Sequence, residues 1–388
     1  MTYDFDETVP REHTDSYKYE ALADNFGRAD LLPLWVADMD FRTPPFITRA
    51  IARRMEQGIL GYTCGMPSYK ESICRWVKRR HQWDITPEMV SYVPGVVSGI
   101  FLALQAFTQK GDKVLIQQPV YHPFRLVPEA TGRQVVQNRL HVTSSSLEMD
   151  LEALERDIQG CRMMILCNPH NPVGVCWQSD TLRQVADICA RAGAVVVSDE
   201  IHCDMTLPGH HHTPFATVSD TARDISITLQ APSKTFNMPG IVCSQAIVPA
   251  PGLRQRYFDY IEGTDQDLGN VFTYDCARAC YTDEGDEWRR QMLDYVQGNI
   301  DYVDSFLRQN CPKIKAMRPE ASFLIFLDCR EMGLTQSGLE DFFINKARLA
   351  LNSGTTFGQG GEGFMRLNVG CPRSTLQLAM KQLAEAYA

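Results

Sequence analysis

Short apolar runs alternate with amphipathic stretches over much of the chain, from about residue 84 to residue 250. In order, these segments are MVSYVPG, VVSGIFLALQAFTQKGD, KVLIQQPVY, CRMMILCNPHNPVG, SDTLRQVADICARAG, AVVVSDEIH, ISITLQAPSK and IVCSQAIVP. Near-continuous apolar strands separated by helices are typical of a parallel sheet that is covered by helices on both faces. The pattern therefore predicts an α/β fold.

The pattern changes beyond about residue 285. A long helix is predicted within residues 287–310, a strand within 321–330, a helix around 338–350 and a strand within 364–370. The first forty residues have few apolar positions of their own. We therefore predict a large domain over residues 42–284, and a smaller α+β domain formed by residues 1–41 together with 285–388.

Composition and charge exclude several classes of partner. The chain has 388 residues, of which 44% are hydrophobic and 22% charged, and its net charge is -9. A nucleic-acid partner would call for a basic face, and a membrane span would call for about 20 consecutive apolar residues. Neither feature occurs, and the first fifteen residues are acidic. We expect a cytoplasmic protein that binds neither nucleic acid nor membrane.

Cysteine and histidine patterns do not predict a disulfide framework or a metal site. The thirteen cysteines are odd in number, and several lie in apolar stretches, among them Cys74, Cys167, Cys189 and Cys243. Reduced core thiols are expected. The histidines at 210–212 are flanked by Pro and Gly, which favours a solvated loop over a metal site.

The candidate chemistry lies where three predicted strands end. Asn171, Asp199 and Lys234 follow such strands, and ligands of parallel sheets bind at this edge. A carboxylate leaving an apolar strand is costly to bury without a cation. Lys234 is the sole charge in QAPSKTFNMPG, which indicates either an enclosed amine with a lowered pKa or a loop lysine resting on apolar surface. Pyridoxal phosphate, whose ring nitrogen takes an Asp and whose aldehyde takes a Lys, would employ both groups.

At these residues the chain resembles the fold-type I, class I/II aminotransferase superfamily of pyridoxal-phosphate enzymes. Its segments look like the cystathionine β-lyase, or C-S lyase, branch often called MalY/PatB: LPLWVADMDF, GYT, PGVV, QPVYHPF, LCNPHNPVG, SDEIHCDM, APSKTFN and RLNVGCPR. The resemblance implies a large domain with a mostly parallel seven-stranded sheet sandwiched by helices, and a smaller α+β domain.

The resemblance also implies roles for single residues. Lys234 would form the Schiff base with the cofactor and act as general base, and Asp199 would pair with the ring nitrogen. Asn171 would donate to the ring's O3′ oxygen and contact the substrate. Tyr121 would stack on the ring, and Arg366 would bind the substrate α-carboxylate through two N–H groups.

The phosphate group is expected at the start of a helix. Backbone N–H groups of Gly95, Val96 and Val97 would hold it, together with the Ser233 hydroxyl. Many members of the superfamily carry an arginine eight residues past the lysine, where this chain has Val242. A simple tight turn is the alternative interpretation of Gly95.

Two aromatic positions complete the expected site. His202 takes the place of a tyrosine that bonds to O3′ in many members, which leaves its tautomer and charge open. Tyr62 matches a tyrosine that reaches the neighbouring subunit's phosphate, so a homodimer with its active site at the interface is implied. Packing roles are the alternative for Tyr62 and Tyr121.

Gly358, Gly360 and Gly363 satisfy the G-x-G-x-x-G spacing of dinucleotide-binding loops. A strand-like segment follows them, whereas the dinucleotide fingerprint requires a helix. We therefore expect a loop near Arg366 and no dinucleotide site.

The resemblance implies a β-elimination that converts an L-cysteine S-conjugate, such as L-cystathionine, to a thiol, pyruvate and ammonia. Two other functions stay open: an aminotransferase that uses the same residues, and a regulatory or binding protein that retains the cofactor as a structural element.

Overall fold

The computed structural model describes residues 2–143 and 145–388, and a seven-stranded sheet lies at its centre. The strands are β1 Leu32–Pro33, β2 Val90–Val93, β3 Lys113–Gln118, β4 Gln134–Arg139, β5 His141–Val142, β6 Leu147–Glu148, β7 Cys161–Cys167, β8 Val195–Asp199, β9 Ser226–Gln230, β10 Ser244–Ile247, β11 Lys315–Met317, β12 Leu324–Asp328, β13 Leu349–Ala350, β14 Asn352–Ser353 and β15 Phe364–Asn368.

The α-helices are α1 Tyr17–Glu20, α2 Leu22–Phe26, α3 Pro45–Glu56, α4 Pro67–His81, α5 Val96–Phe107, α6 Pro123–Ala130, α7 Leu151–Asp157, α8 Ser179–Arg191, α9 Asp220–Ile225, α10 Pro251–Gly263, α11 Thr273–Cys280, α12 Asp283–Asn310, α13 Gln336–Asp341 and α14 Arg373–Tyr387. Short 3₁₀ turns are Pro87–Met89, Cys203–Met205, Phe215–Thr217, Arg330–Met332 and Gly354–Phe357, and Phe342–Lys346 is a π-helical turn. Among the described residues no helix is both long and apolar enough to cross a bilayer.

The seven strands follow the order β2-β10-β9-β8-β7-β3-β4. Every neighbouring pair is parallel except those of β10, which runs antiparallel to both β2 and β9. Successive side chains of a strand point to opposite faces. Accordingly Met164 and Val196 belong to one core, packed under α7 and α8, and Met163 and Val197 to another under α5 and α10. The predicted α/β fold with a mostly parallel seven-stranded sheet is confirmed.

A second, antiparallel sheet has the order β11-β12-β15-β14. It shares the largest core with α12, α14 and the N-terminal arm. In that arm Phe5 packs against Phe41 and Trp288, and β1 pairs in parallel with β13 through Leu32 and Leu349. These contacts support the predicted association of the arm with the C-terminal part. The domain borders, between residues 41 and 42 and between residues 284 and 285, stay predictions.

The helix predicted around residues 338–350 is shorter than expected. It ends at Asp341, continues as the π-helical turn, and gives way to strand β13. The pairing of β13 with β1 of the distant arm outweighs the helical pattern of the local sequence. The strand predicted after the glycine-rich loop is found as β15.

The predictions for cysteine hold, and one for histidine does not. All thirteen cysteines are free, and eleven of them are buried. His210 and His211 are exposed, as expected for a loop. The prediction of a solvated loop is wrong for His212, whose side chain is buried and whose Nε2 lies 2.9 Å from a carboxylate oxygen of Glu200. Because Glu200 is itself fully buried, it requires such a partner.

Candidate active site

The carboxyl ends of β7, β8 and β9 meet at one edge of the large sheet. Asp199 is the last residue of β8, in register with Cys167 on one side and Leu229 on the other. Asn171 and Lys234 each follow the end of a neighbouring strand by four residues. The fold thus brings three of the predicted site residues to the same edge.

Asp199 is a buried carboxylate without a basic partner. Its Oδ1 accepts a hydrogen bond from the backbone N–H of Ile201 at 3.0 Å, and within the described residues it forms no ion pair. Its pKa is raised to about 7, mainly by burial and in addition by the charge of Glu200, whereas the Ile201 N–H and Lys234 act in the opposite direction. Such a group has capacity for a cation or an N–H donor brought by a ligand.

Lys234 is enclosed next to the same strand ends. Its Nζ donates a 2.8 Å hydrogen bond to the carbonyl oxygen of Ala37. Loss of hydration lowers its pKa to about 8; Asp38 and Asp199 oppose this shift, and the positive charge of Arg366 adds to it. A sizeable fraction of the amine is therefore neutral, and nucleophilic, near neutral pH.

Arg366 lies on β15 with 5% of its surface exposed. Its guanidinium donates to neutral oxygens only: Oδ1 of Asn171 at 3.1 Å, the Trp35 carbonyl at 3.1 Å, and Oδ1 of Asn352 at 2.7 Å. It stacks over the Phe357 ring at 4.8 Å, and its Nε has no partner in the described part of the chain. Burial lowers its pKa to about 10. A planar cation held in this way is suited to a carboxylate ligand.

A cavity of about 560 Å³ opens onto these groups. Lys234, Arg366 and Tyr121 line it together with residues 35–37. Asp199 does not line it, but its charge acts on the pKa values of Lys234 and Tyr121, which do. The volume is in the range of small-molecule sites.

A larger cavity of about 900 Å³ lies between the N-terminal arm and residues 237–241. None of the predicted site residues lines it. We therefore assign the chemistry to the smaller cavity.

The residues predicted to bind the phosphate lie at and near the start of α5. Gly95 precedes the helix with φ of 100°, a conformation that favours glycine, and Val96 and Val97 begin the helix, where backbone N–H groups have no intrahelical acceptor. Ser233 is buried and follows the end of strand β9 by three residues. Val242 lies 4.0 Å from where a Cβ of Gly95 would be, so an apolar side chain stands beside the start of α5.

His202 and Tyr121 both carry shifted pKa values. His202 is buried, its Nδ1 has no partner among the described residues, and burial with the charges of Lys234 and Arg366 lowers its pKa to about 3. Its imidazole is therefore neutral, which resolves the charge that the sequence left open. Tyr121 is half-buried, and burial raises its pKa, so its phenol stays protonated.

Tyr62 lies apart from the cavity and is fully exposed. Ile59, Leu60 and Met66 nearby in sequence are exposed as well, at 74%, 60% and 56%. The expected role of Tyr62 in a neighbouring subunit stays a prediction.

The backbone carbonyls of residues 35–38 act as acceptors in the site, a role that was not predicted from the sequence. They accept hydrogen bonds from Arg366, from Lys234, and twice from Asn368 at 2.7 Å. The segment LPLWVADMDF marked the family, but residue types alone carry no signal for carbonyls acting as acceptors.

A cluster of paired charges beside this segment was also missed. Arg11 and Lys18 reach Asp38 and Asp40 at distances of 2.6 to 3.7 Å, and Lys18 is completely buried. This arm cluster fixes the segment that carries the acceptor carbonyls.

The chain belongs to the aminotransferase class I and II family, which it matches over residues 29–383. It is 40% identical over 386 residues to cystathionine beta-lyase PatB of Bacillus subtilis (strain 168), an alignment that covers 99% of this chain and 100% of that protein. It is 31% identical over 388 residues to protein MalY of Escherichia coli (strain K12), with 99% and 98% covered. The crystal structure of the PLP-bound C-S lyase from Staphylococcus hominis superposes with a TM-score of 0.92 at 28% identity, covering 100% and 99% of the two chains.

As a member of this family the protein is an enzyme that uses pyridoxal 5′-phosphate. The residues present fit that cofactor on three counts. Asp199 has no cationic partner in the described structure, His202 Nδ1 has no acceptor or donor there, and Gly95 leaves the start of α5 open to a phosphate.

Proposed function

We propose that this enzyme is a carbon-sulfur β-lyase that cleaves L-cystathionine or other L-cysteine S-conjugates to a thiol, pyruvate and ammonia. The observation that carries the proposal is that Lys234 and Arg366 line one cavity and Asp199 lies close enough to affect the pKa of Lys234, while none of the three is ion-paired within the described structure. The activity named for PatB and for the Staphylococcus hominis lyase supports elimination of sulfur as the reaction.

Asp199, Asn171 and Tyr121 would hold the cofactor ring, with Asp199 accepting a hydrogen bond from the ring nitrogen. Pyridoxal phosphate supplies an electron sink for the pair left when Cα loses its proton. A neighbouring cation or N–H also offsets the cost of burying Asp199. The neutral imidazole of His202 is suited to a hydrogen bond with a ring substituent.

The phosphate would bind at the start of α5, to the N–H groups of Val96 and Val97 and the Ser233 hydroxyl. Gly95, which was predicted to donate as well, already gives its N–H to the Val93 carbonyl at 2.8 Å and would serve through its conformation. A helix start of this kind binds anions without a cationic side chain. This arrangement accounts for the tolerance of Val242 at a position where many relatives carry arginine.

Arg366 orients the substrate by binding its α-carboxylate through two N–H groups. The Cα–H bond then faces Lys234, whose neutral amine takes the proton at Nζ. The lowered pKa of Lys234 makes this amine available near neutral pH. The carbonyl of Ala37 holds Nζ on the cavity side of the loop.

We also propose a homodimer with Tyr62 at the neighbouring subunit's site. The exposed apolar side chains of Ile59, Leu60 and Met66 form a surface that a second copy would cover. Sedimentation of the wild-type protein should give a dimer, and a fully active monomer would refute this proposal.

A cytoplasmic location is proposed as well. Thirteen free cysteines, eleven of them buried, are compatible with a reducing compartment. Fractionation of the source cells should place the protein with cytoplasmic markers.

The reaction is tested with purified enzyme, pyridoxal phosphate and L-cystathionine in the absence of any keto acid. A β-lyase releases thiol and pyruvate in equal amounts over many turnovers. An aminotransferase would stop after one turnover per site without releasing thiol, and a protein that retains the cofactor only structurally would be no faster than free pyridoxal phosphate. Either of these results would contradict the proposal.

A further inference from the structure

One imidazole in the cavity has no part in the function proposed above. His122 precedes α6, lines the same cavity as Lys234 and Arg366, and lies with its ring 5.0 Å from that of Tyr121. Its Nδ1 is buried and has no hydrogen-bond partner among the described residues. The ring lines the cavity and makes no hydrogen bond to another described residue, so it is free to engage a ligand bound there.

The backbone of His122 is fixed at the start of α6. The carbonyl oxygen of His122 accepts hydrogen bonds from the N–H groups of Arg125 and Leu126, at 3.0 and 3.1 Å, which close the first turn of α6. Its ring is further confined by the edge-on contact with Tyr121. The imidazole is therefore held at the cavity wall without any side-chain hydrogen bond of its own.

Apart from the largely exposed phenol of Tyr17, the remaining ionisable residues of the cavity are already engaged. Lys234 and Arg366 are assigned to the Cα proton and the α-carboxylate, and Tyr121 to the cofactor ring. The carboxylate of Glu340 accepts a 2.5 Å hydrogen bond from the Ser353 hydroxyl. His122 is left as the group able to serve the sulfur side of the substrate.

We propose that His122 donates a proton to the departing sulfur as the Cβ–S bond breaks, an inference that rests on the lyase function proposed above. The Cα proton goes to Nζ of Lys234, and the electron pair of the Cα–H bond becomes the second bond between Cα and Cβ. The electron pair of the Cβ–S bond leaves with sulfur, which takes the proton of the imidazolium and departs as a neutral thiol. Solvent restores the proton to His122, and no oxidant or reductant is consumed.

Substrate binding favours the proton that this role requires. Burial lowers the pKa of His122, and the charges of Arg366 and Arg125 lower it further. A substrate carboxylate on Arg366 offsets one of these charges, and Arg125 is itself paired with Glu129 at 2.8 Å. The imidazolium is thus more stable when substrate is bound than when the cavity is empty.

The test compares two leaving groups in His122→Gln and His122→Phe. An alkyl thiol has a pKa of about 8.5 or above, so it leaves poorly without a proton. A nitrophenyl thiol is far more acidic and leaves as the anion. Both variants should lose about a hundredfold in kcat/KM for S-methyl-L-cysteine, the usual contribution of a general acid, and less than about threefold for S-(4-nitrophenyl)-L-cysteine. His211→Gln, which changes an exposed loop histidine, is the matched control and should leave both values unaltered.

Equal losses on the two substrates would overturn the proposal, because they would assign His122 to general positioning. An unchanged rate with the methyl conjugate would also overturn it and leave the proton to Lys234 or water. Loss of cofactor absorbance in both variants would assign His122 to the cofactor site and so overturn it too. If wild-type enzyme released no thiol from either conjugate, the β-lyase function itself would fail, and that outcome is distinguishable from the others.

Discussion

Two groups of buried charges lie side by side in this protein, and they differ in whether they are paired. In the arm cluster, Lys18 lies 2.7 Å from Asp40, and Arg11 lies 2.6 Å from Asp38 and 2.7 Å from Asp40. Each buried charge there is close to an opposite one. The cost of burying these groups is offset within the chain itself.

The site charges Lys234, Asp199 and Arg366 have no such partners in the described structure. Each pKa is shifted toward the neutral form, to about 8, 7 and 10 respectively, with burial as the main cause in every case. The paired arm cluster therefore supports the fold. The unpaired site charges destabilise the fold, and they are retained because a bound ligand supplies their missing partners.

Removal of Lys234 should give the largest effect. In Lys234→Ala, turnover of L-cystathionine should fall by about 10⁴-fold or more, because the group that takes the Cα proton is gone. The unfolding free energy should change by about 1 kcal/mol or less, since Nζ makes a single hydrogen bond to Ala37. Thiol release and urea denaturation measure the two quantities, and a large loss of stability with retained turnover would reverse the assignment.

Removal of Lys18 should show the opposite result, with its main effect on stability and not on turnover. Lys18→Ala leaves Asp38 and Asp40 with Arg11 alone, and breaking a buried pair costs about 3 kcal/mol of unfolding free energy. Lys381→Ala, at an exposed position of α14, is the matched control and should change stability by about 0.5 kcal/mol or less. Urea denaturation of both variants makes the comparison, and equal stabilities would show that the cluster does not support the fold.

Arg366 should matter to substrates that carry an α-carboxylate. In Arg366→Ala, kcat/KM for L-cystathionine should fall roughly a hundredfold, because a charge-assisted contact is lost. This loss corresponds to about 2–3 kcal/mol of transition-state stabilisation. A decarboxylated analogue should bind to wild type and variant almost equally. Equal losses with both ligands would remove Arg366 from the carboxylate site.

The last expected effect concerns the dependence of stability on pH in the cofactor-free protein. The folded-state pKa of Asp199 is raised to about 7 from an ordinary value near 4, so the native state holds a proton that the unfolded state has released. The contribution of Asp199 to the unfolding free energy therefore falls by up to a few kcal/mol as pH rises from about 4 to about 7. Above that range this contribution is level. Asp199→Asn should lack this contribution, which chemical denaturation at several pH values would detect. Parallel pH profiles for the two proteins would contradict the shifted pKa.

Much of the large sheet could be predicted because its strands are apolar along their whole length. AVVVSD leads directly to Asp199, and the burial of that carboxylate follows from its place at the end of β8. The lone charge at Lys234 was compatible with an enclosed amine or with a loop lysine, and the lowered pKa of Lys234 in the structure favours the first. These features are local in sequence, so composition and spacing carry them.

Other features could not be predicted, because they depend on contacts between distant parts of the chain. The hydrogen bond from Lys234 to the Ala37 carbonyl joins residues 197 positions apart. His212 is buried because Glu200 lies within reach, which the flanking Pro and Gly do not reveal. The antiparallel direction of β10 did have a signal, since the segment between β9 and β10 contains no crossover helix.

The central claim is that the unpaired charges form one cofactor site centred on Lys234. Borohydride reduction of the purified enzyme saturated with pyridoxal phosphate, followed by peptide mass mapping, tests it most directly. We predict a pyridoxyl group on Lys234 and on no other lysine. A pyridoxyl group on a different lysine, or none at all, would contradict the account.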